Sequence, residues 1–411
     1  MGKNTNKQFD VLVIGAGASG MMAAITAARE NKKVCILEKL DKAGKKLLAT
    51  GNGKCNFTND KMSVDCFGGD KAFVDTILEA FTVNDCLQFF HSIGIYPKNK
   101  NGYYYPNSEQ AASVVSAFIE ELDRKGVEVI YNTNILGIVS AKDKVTVNSN
   151  QGIFVARKLI VATSLLAAPK LGSDGSLFEI IKGLGHRFQP ILPALCGFYA
   201  SGIPFKKVSG VRATGTVCAV VDGKIAAQDT GEIQFTDYGI SGIPVFQISR
   251  HLSKALYQKK DTKVLINLLP EWQENQVIEE LNHRKNIKVS QPVSMLLNGW
   301  LNQKLSEVIL DSSNIDKNQV SGKLSEKDIE CLAEKLQNIE VEITKYRDYE
   351  FAQVCTGGIP VNDIVWETLE SRFASNVYFA GEILDVDGIC GGYNLHFAWA
   401  TGFIAAKSAC K

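Results

Sequence analysis

The sequence predicts an α/β fold: a Rossmann-like, doubly wound nucleotide-binding domain with one β-rich and one helical insertion. Three observations predict it. A G-x-G-x-x-G pattern lies between an apolar run and a helix-like run at residues 15–20. A second apolar run, a glycine-rich turn and a helix of small and aromatic residues occupy residues 376–409. Between these ends the patterning changes near Pro190 and again near Glu271. At 411 residues the chain exceeds what one core supports, so more than one domain is expected.

The first element is a strand. Residues 11–14 are continuously apolar, as a strand buried on both faces must be. The fingerprint follows directly. Gly15 makes the tight turn, Gly17 lets a pyrophosphate approach the backbone, and Gly20 lets the helix pack against the strand. Ala18 and Ser19 lie inside the same turn and count as candidate phosphate contacts. Residues 21–29 read as the helix, its amide dipoles facing the phosphates, with Asn31 as its C-cap. Residues 33–37 form the second strand, and Glu38 stands at its end, followed by Lys39. A carboxylate there accepts hydrogen bonds from both hydroxyls of an adenosine ribose. Its charge disfavours a 2′-phosphate, so FAD or NAD is preferred over NADP.

GKKLLATGNGKCNFTN, residues 44–59, decides between them. It holds three glycines, three lysines and three asparagines. A plain NAD domain would proceed to its next helix. This reads instead as a loop of backbone and amide donors, suited to a ligand extending past the pyrophosphate as the ribityl chain of FAD does. Lys46, Gly51, Asn52, Cys55 and Asn56 are its candidate contacts.

Residues 103–106 end an extended segment, and Asn107 with Gln110 reads as the N-terminus of a helix reaching Lys125. Residues 126–132, GVEVIYN, read as a core strand, with Val129 a further candidate cofactor contact. Three short alternating runs at 135–140, 145–148 and 153–155 read as an antiparallel meander, and residues 158–163 as the return to the parallel sheet. This order is that of a two-dinucleotide-binding-domain flavoprotein, without a second fingerprint for nicotinamide. Residues 191–268 carry short apolar runs between Gly and Pro turns. Residues 271–336 are helical in pattern, with a polar break near 311–323. His186, His251 and His283 are isolated and read as surface or core residues.

At the C-terminal end, residues 377–380 read as a strand closing on Gly381 and Glu382. Glu382 suits the ribityl hydroxyls. DGICGG, residues 387–392, is a turn whose glycines let an isoalloxazine ring lie on the backbone. Gly391, Gly392, Tyr393 and Asn394 lead into an apolar helix whose positive end stabilises negative charge on a reduced flavin.

The net charge of +1 gives no electrostatic case for nucleic acid or an anionic membrane. Ten cysteines occur without a CxxC pair. That argues against a zinc ribbon or a thioredoxin-type couple, and fits a reducing, cytoplasmic compartment. The uncharged stretch 11–28 has the length of a membrane span, but its glycine fingerprint reads as strand, turn and helix.

The chain resembles the BaiN/YhiN-like FAD-dependent oxidoreductases, which include enzymes described as aminoacetone oxidases and bile-acid enone reductases. The resemblance rests on GAGASG, on KKLLATGNGKCNFTN and on FTDYGISGIPVFQISR at 235–250. It rests also on AQVCTGGI at 352–359 and on YFAGEILDVDGICGGYNLHFAWATG at 378–402. It implies a cofactor domain from residues 1–190 and 340–411, a β-barrel-like insertion at 191–270 and a helical one at 271–339. By position it implies FAD contacts at Gly15, Gly17, Ser19, Gly20, Glu38, Asn52, Cys55, Asn56, Glu382 and Asn394. The chain departs from the family pattern at ATSLLAAP, residues 162–169, and at GSDGS, residues 172–176.

The expected activity is reduction of an activated C=C bond, with NAD(P)H as electron donor and a small molecule as substrate. The resemblance implies a 3-oxo-Δ4 or Δ4,6 steroid or bile acid as a substrate class. Tyr103, Tyr104 and Tyr105 are candidate proton donors. The alternatives are an amine oxidase releasing peroxide and a flavoprotein without turnover. Cys55 and Cys390 are the thiols considered for covalent flavin attachment.

Overall fold

Strand β1 (Lys7–Ile14) lies parallel between β2 (Val34–Leu37) and the long strand Gly152–Val161. Glu128–Ile130 extends the sheet beyond β2, and Val377–Phe379 pairs on the far side of the long strand. The structure is a computed structural model describing residues 7–411, so the first six residues of the predicted cofactor domain lie outside it. The chain divides into two compact units. One runs to Leu192 and resumes over Gln353–Lys411; the other is Pro193–Ala352.

Register positions the site. Ile14 pairs with Leu37 and with Val161, Leu37 with Ile130, and Val161 with Phe379. Five parallel strands therefore end at one level. Ligands of open α/β sheets bind beyond that edge, where strand order reverses. Here the reversal lies between β1, whose helix leads to β2, and the long strand on its other side.

The predicted third meander strand and the predicted returning strand are one strand, Gly152–Val161. Its first half pairs antiparallel with Val145–Ser149 and its second half parallel with Val377–Phe379. Exposed Arg157 breaks the apolar alternation between the halves and makes them look separate in sequence. The predicted helix from Asn107 begins later, at Ala111–Arg124. The Asn107 amide is instead used by the Tyr96 carbonyl, and Glu109 adopts φ +52, ending a turn.

Helix α1 (Ala18–Arg29) is buried almost all round and starts before the predicted Met21. Asn31, at φ +57, takes the left-handed conformation just past its end. The C-terminal helix Tyr393–Ala409 packs on α1 where both are small. A Cβ on Gly402 would stand 2.4 Å from the Ser19 carbonyl oxygen. On its other side Trp399 stacks on Phe118 and donates to the Phe57 carbonyl.

In the second unit, six strands close a barrel in the order Phe198–Ser201, Gly239–Gly242, Lys224–Phe235, Arg212–Val221, Thr262–Asn267, Ile339–Tyr346. Helices Glu274–Ile287, Gln303–Ser312 and Glu326–Gln337 are inserted between its last two strands, and the polar break at 311–323 separates the last two helices. The sequence reading ends the insertion at 339. The strand Ile339–Tyr346 instead pairs with Thr262–Asn267 and Phe198–Ser201 and seals the barrel. Helix Ile243–Tyr257 is absent from the sequence reading, although buried Val245, Ile248, Leu252 and Ala255 repeat at helical spacing. No helix among the described residues is long and apolar enough to cross a membrane.

Candidate functional site

A cleft opens at the carboxyl edge of the parallel strands, enclosing about 900 Å³ with its open mouth included. Of the predicted residues, Gly15, Gly17, Glu38, Lys39 and Lys46 line it. The fingerprint glycines divide their roles by steric room. A Cβ on Gly20 would fall 1.8 Å from the Gly15 carbonyl oxygen, and one on Gly15 2.8 Å from that of Ala162. A Cβ on Gly17 would meet nothing within 4 Å. Gly15 and Gly20 therefore serve the strand–helix junction, and Gly17 faces open space.

Glu38 is buried, and its carboxylate accepts from the Ala16 amide at 2.6 Å and the Leu40 amide at 2.8 Å. These bonds fix it at the strand end while leaving each oxygen further acceptor capacity. Lys39 forms an ion pair with Asp174. Thr133, Thr163 and Ser164 complete polar parts of the wall, and the Thr163 hydroxyl is buried without a hydrogen-bond partner. Both segments that depart from the family pattern line this cleft, through Ala162–Ser164 and Gly172–Ser176. Val129 pairs with Ile36 inside the sheet and does not line it.

The chain's two ends meet at three further points. A Cβ on Gly381 would lie 2.5 Å from the Ser19 hydroxyl, which itself approaches the Ala380 carbonyl at 3.5 Å. Lys46 donates to Glu382 at 2.6 Å, and the Cys355 amide donates to the other oxygen of that carboxylate at 3.0 Å. A Cβ on Gly392 would lie 2.8 Å from the Asn56 side-chain oxygen, which is buried with no partner. Replacing Lys46 by Met leaves Glu382 with one amide donor in a partly buried position. We expect about 1–2 kcal/mol of lost stability in urea melts, with unchanged flavin release if the pair only braces the fold. A parallel rise in flavin release would mark it as part of the binding surface.

The loop that reads as donors in sequence is locally ordered. Lys45–Leu48 forms one helical turn, and Gly51, Asn52, Gly53 and Cys55 all take positive φ. Non-glycine residues in that region store strain, which concentrates at ligand sites. Asn52 is exposed, whereas Cys55 is fully buried and its thiol is pushed up to about 12. A thiol so protonated is a poor nucleophile at neutral pH, which weighs against covalent attachment there.

Asn394 does not present its amide outward. It accepts from the Gly388 amide and donates to the Gly388 carbonyl, both at 2.8 Å, which pins the turn before the helix. Tyr393 is buried, and burial raises its phenol above the usual range. Sequence reasoning missed His396, which is wholly buried in the same helix. Its Nε2 donates to the Phe81 carbonyl at 3.1 Å, and its Nδ1 meets the Thr58 hydroxyl at 2.8 Å. Burial lowers its pKa to about 4. The isolated His186 is likewise a core residue, with its Nε2 2.7 Å from the Ser371 hydroxyl.

The open space at Gly17, the fixed carboxylate of Glu38 and the unpartnered oxygens of Thr163 and Asn56 fit a long, polar dinucleotide. A family profile for the HI0933-like protein Rossmann domain matches residues 9–408. The chain is 40% identical over 402 residues to the 3-dehydro-bile acid delta(4,6)-reductase of Clostridium scindens, covering 97% of this chain and 98% of that one. It is 30% identical to the ribosomal RNA dihydrouridine synthase of Haemophilus influenzae, with 97% of each chain covered. Among solved structures, 3-ketosteroid delta1-dehydrogenase from Sterolibacterium denitrificans superposes with a TM-score of 0.52 at 12% identity. That match covers 99% of this chain and 100% of the other, a likeness of fold. The glycine cleft, the barrel insertion and a profile spanning nearly all of the chain place this protein in the HI0933-like Rossmann family of FAD-dependent oxidoreductases.

Proposed function

We propose that this protein reduces a C=C bond conjugated to a carbonyl, with a 3-oxo-Δ4 or Δ4,6 steroid or bile acid as substrate and NAD(P)H as electron donor. The observation that carries the reading is the 40% identity, end to end, with a bile-acid delta(4,6)-reductase. The name of the more distant relative supports the reaction class. Forming dihydrouridine also saturates a C=C bond conjugated to a carbonyl, by adding a hydride and a proton. An RNA uracil is therefore the second reading for the substrate, favoured by the 30% relative.

Bound FAD supplies hydride transfer to carbon. The chain's residues hold and shield it. Gly17 would admit the pyrophosphate, Glu38 would take the adenosine ribose, and the 51–56 loop, Glu382 and the 391–392 turn would hold the ribityl and ring end. Lys46 balances the Glu382 charge on that path.

Tyr103 gives the proton to the α-carbon in this reading. It is 40% exposed, and its ring edge would touch a Cβ on Gly391 at 3.0 Å. Tyr105, by contrast, has its phenol raised by burial. Tyr103→Phe is expected to slow enone-driven reoxidation of the reduced protein by about 10²-fold while flavin reduction keeps its rate. Stopped-flow measurement of the two half-reactions checks this, and equal rates of reoxidation remove Tyr103 from the role.

The test of the function is anaerobic. NADH or NADPH should bleach the flavin band, and a 4,6-dien-3-one bile acid should restore it with one product per flavin. Bleaching by aminoacetone alone, with peroxide formed in air, would favour the amine oxidase. Reoxidation by ribosomal RNA and not by any enone would favour the uracil reading.

A further inference from the structure

One end of the barrel carries a cation that the protein leaves unneutralised. Arg347 follows the strand Ile339–Tyr346, and its amide donates to the Gly197 carbonyl at 3.0 Å. Its guanidinium carbon lies 3.8 Å from the ring centre of Phe351, 4.2 Å from Tyr238 and 5.5 Å from Tyr199. The two tyrosine rings are 5.2 Å apart. Phe351 is 54% exposed, so the apolar wall faces solvent.

No carboxylate among the described residues pairs with this arginine, and its Nε is buried without a hydrogen-bond partner. Neighbouring Lys345 is already tied to Asp348 at 3.1 Å. Ring faces hold a cation in place but do not satisfy its N–H groups. An arginine fork fixed in one plane and lacking an acid matches a carboxylate, which takes two parallel N–H bonds. One free charge suits one anionic group. A nucleic-acid backbone calls for several such cations, which this patch lacks.

We propose that the cage of Tyr199, Tyr238, Arg347 and Phe351 binds a single carboxylate carried on a flat, apolar, polycyclic body. The carboxylate bonds to the guanidinium and the body lies along the aromatic rings. The choice of a polycyclic body rests on the proposed function; the choice of a carboxylate rests on the cage alone.

The test uses the FAD-loaded full chain, oxidised and without an electron donor, so that neither of its two ligands turns over. Cholate carries the carboxylate and has no C=C bond to reduce; 4-androstene-3,17-dione has no carboxylate. Calorimetric titration of the wild type should show cholate binding. Arg347→Met should weaken it by about tenfold or more, Arg347→Lys by less, with the dione unaffected. Arg347 makes no side-chain hydrogen bond but packs on three rings, so the melting temperature of the variants should fall only slightly and their visible flavin spectrum should match the wild type. Absence of cholate binding by the wild type, equal cholate binding by Arg347→Met, or equal weakening of both ligands overturns the proposal. Loss confined to NADPH affinity overturns it too, in favour of a nucleotide phosphate. Turnover of a carboxyl-free enone tests the proposed reaction separately, because that substrate does not engage Arg347.

Discussion

Gly20→Ala is expected to abolish recovery of folded, flavin-loaded protein, whereas Gly17→Ala should fold normally and bind flavin more weakly. The two glycines sit three residues apart in one turn and differ in what surrounds them. An added methyl at Gly20 falls 1.8 Å from the Gly15 carbonyl oxygen, a backbone atom that cannot swing aside. Either α1 lifts from β1 or the turn deforms, and the whole carboxyl edge moves with it. Overpacking of this kind destabilises by about 3 kcal/mol or more. At Gly17 the same methyl meets nothing within 4 Å. It enters the space assigned to the pyrophosphate, so the loss should appear in binding, on the order of tenfold. Urea melts of the apoprotein and the ratio of flavin to protein absorbance separate the effects. A normally stable Gly20→Ala apoprotein would falsify the steric assignment, and full flavin retention by Gly17→Ala would remove the phosphate from that position.

The second large effect is on acid stability, through His396. The folded protein holds this imidazole neutral, with a pKa of about 4, because it is wholly buried. In the unfolded chain it protonates near 6.5. Between those values the unfolded state binds the extra proton, so stability falls as pH drops from 6.5 towards 4 and levels off below. The full span is roughly 3 kcal/mol. His396→Phe should remove this slope. It should also lower stability at pH 7 by about 2 kcal/mol, since the Phe81 carbonyl and the Thr58 hydroxyl lose their partner. The two proteins' urea midpoints should then converge at about pH 5. Parallel curves for wild type and variant would assign the acid sensitivity to other groups.

The fold was legible in its local parts because those parts are set by local rules. Apolar runs, the glycine fingerprint and Glu38 fall where the sequence places them, since a buried parallel strand and a tight βα turn accept few other residues. Helix Ile243–Tyr257 escaped the sequence reading although four apolar positions repeat at helical spacing, because the surrounding Gly and Pro turns read as β-rich. The strand Ile339–Tyr346 follows a helical stretch and belongs to the barrel only because two partner strands lie more than seventy residues upstream. No local pattern carries that pairing.

The candidate site divides the same way. The sequence by itself determined which residues could serve a dinucleotide: small ones where a backbone must be approached, an acid at a strand end, amides and lysines in a loop. Tertiary structure alone decided what each is left to do. Asn394 spends its amide on its own turn, and Lys46 meets Glu382 across 336 positions. Cys55 is sealed into the core, and Arg347 acquires three rings and no acid. Residue identity fixes which bonds a group can make; which bonds remain for a ligand depends on burial and on partners that only folding brings within reach.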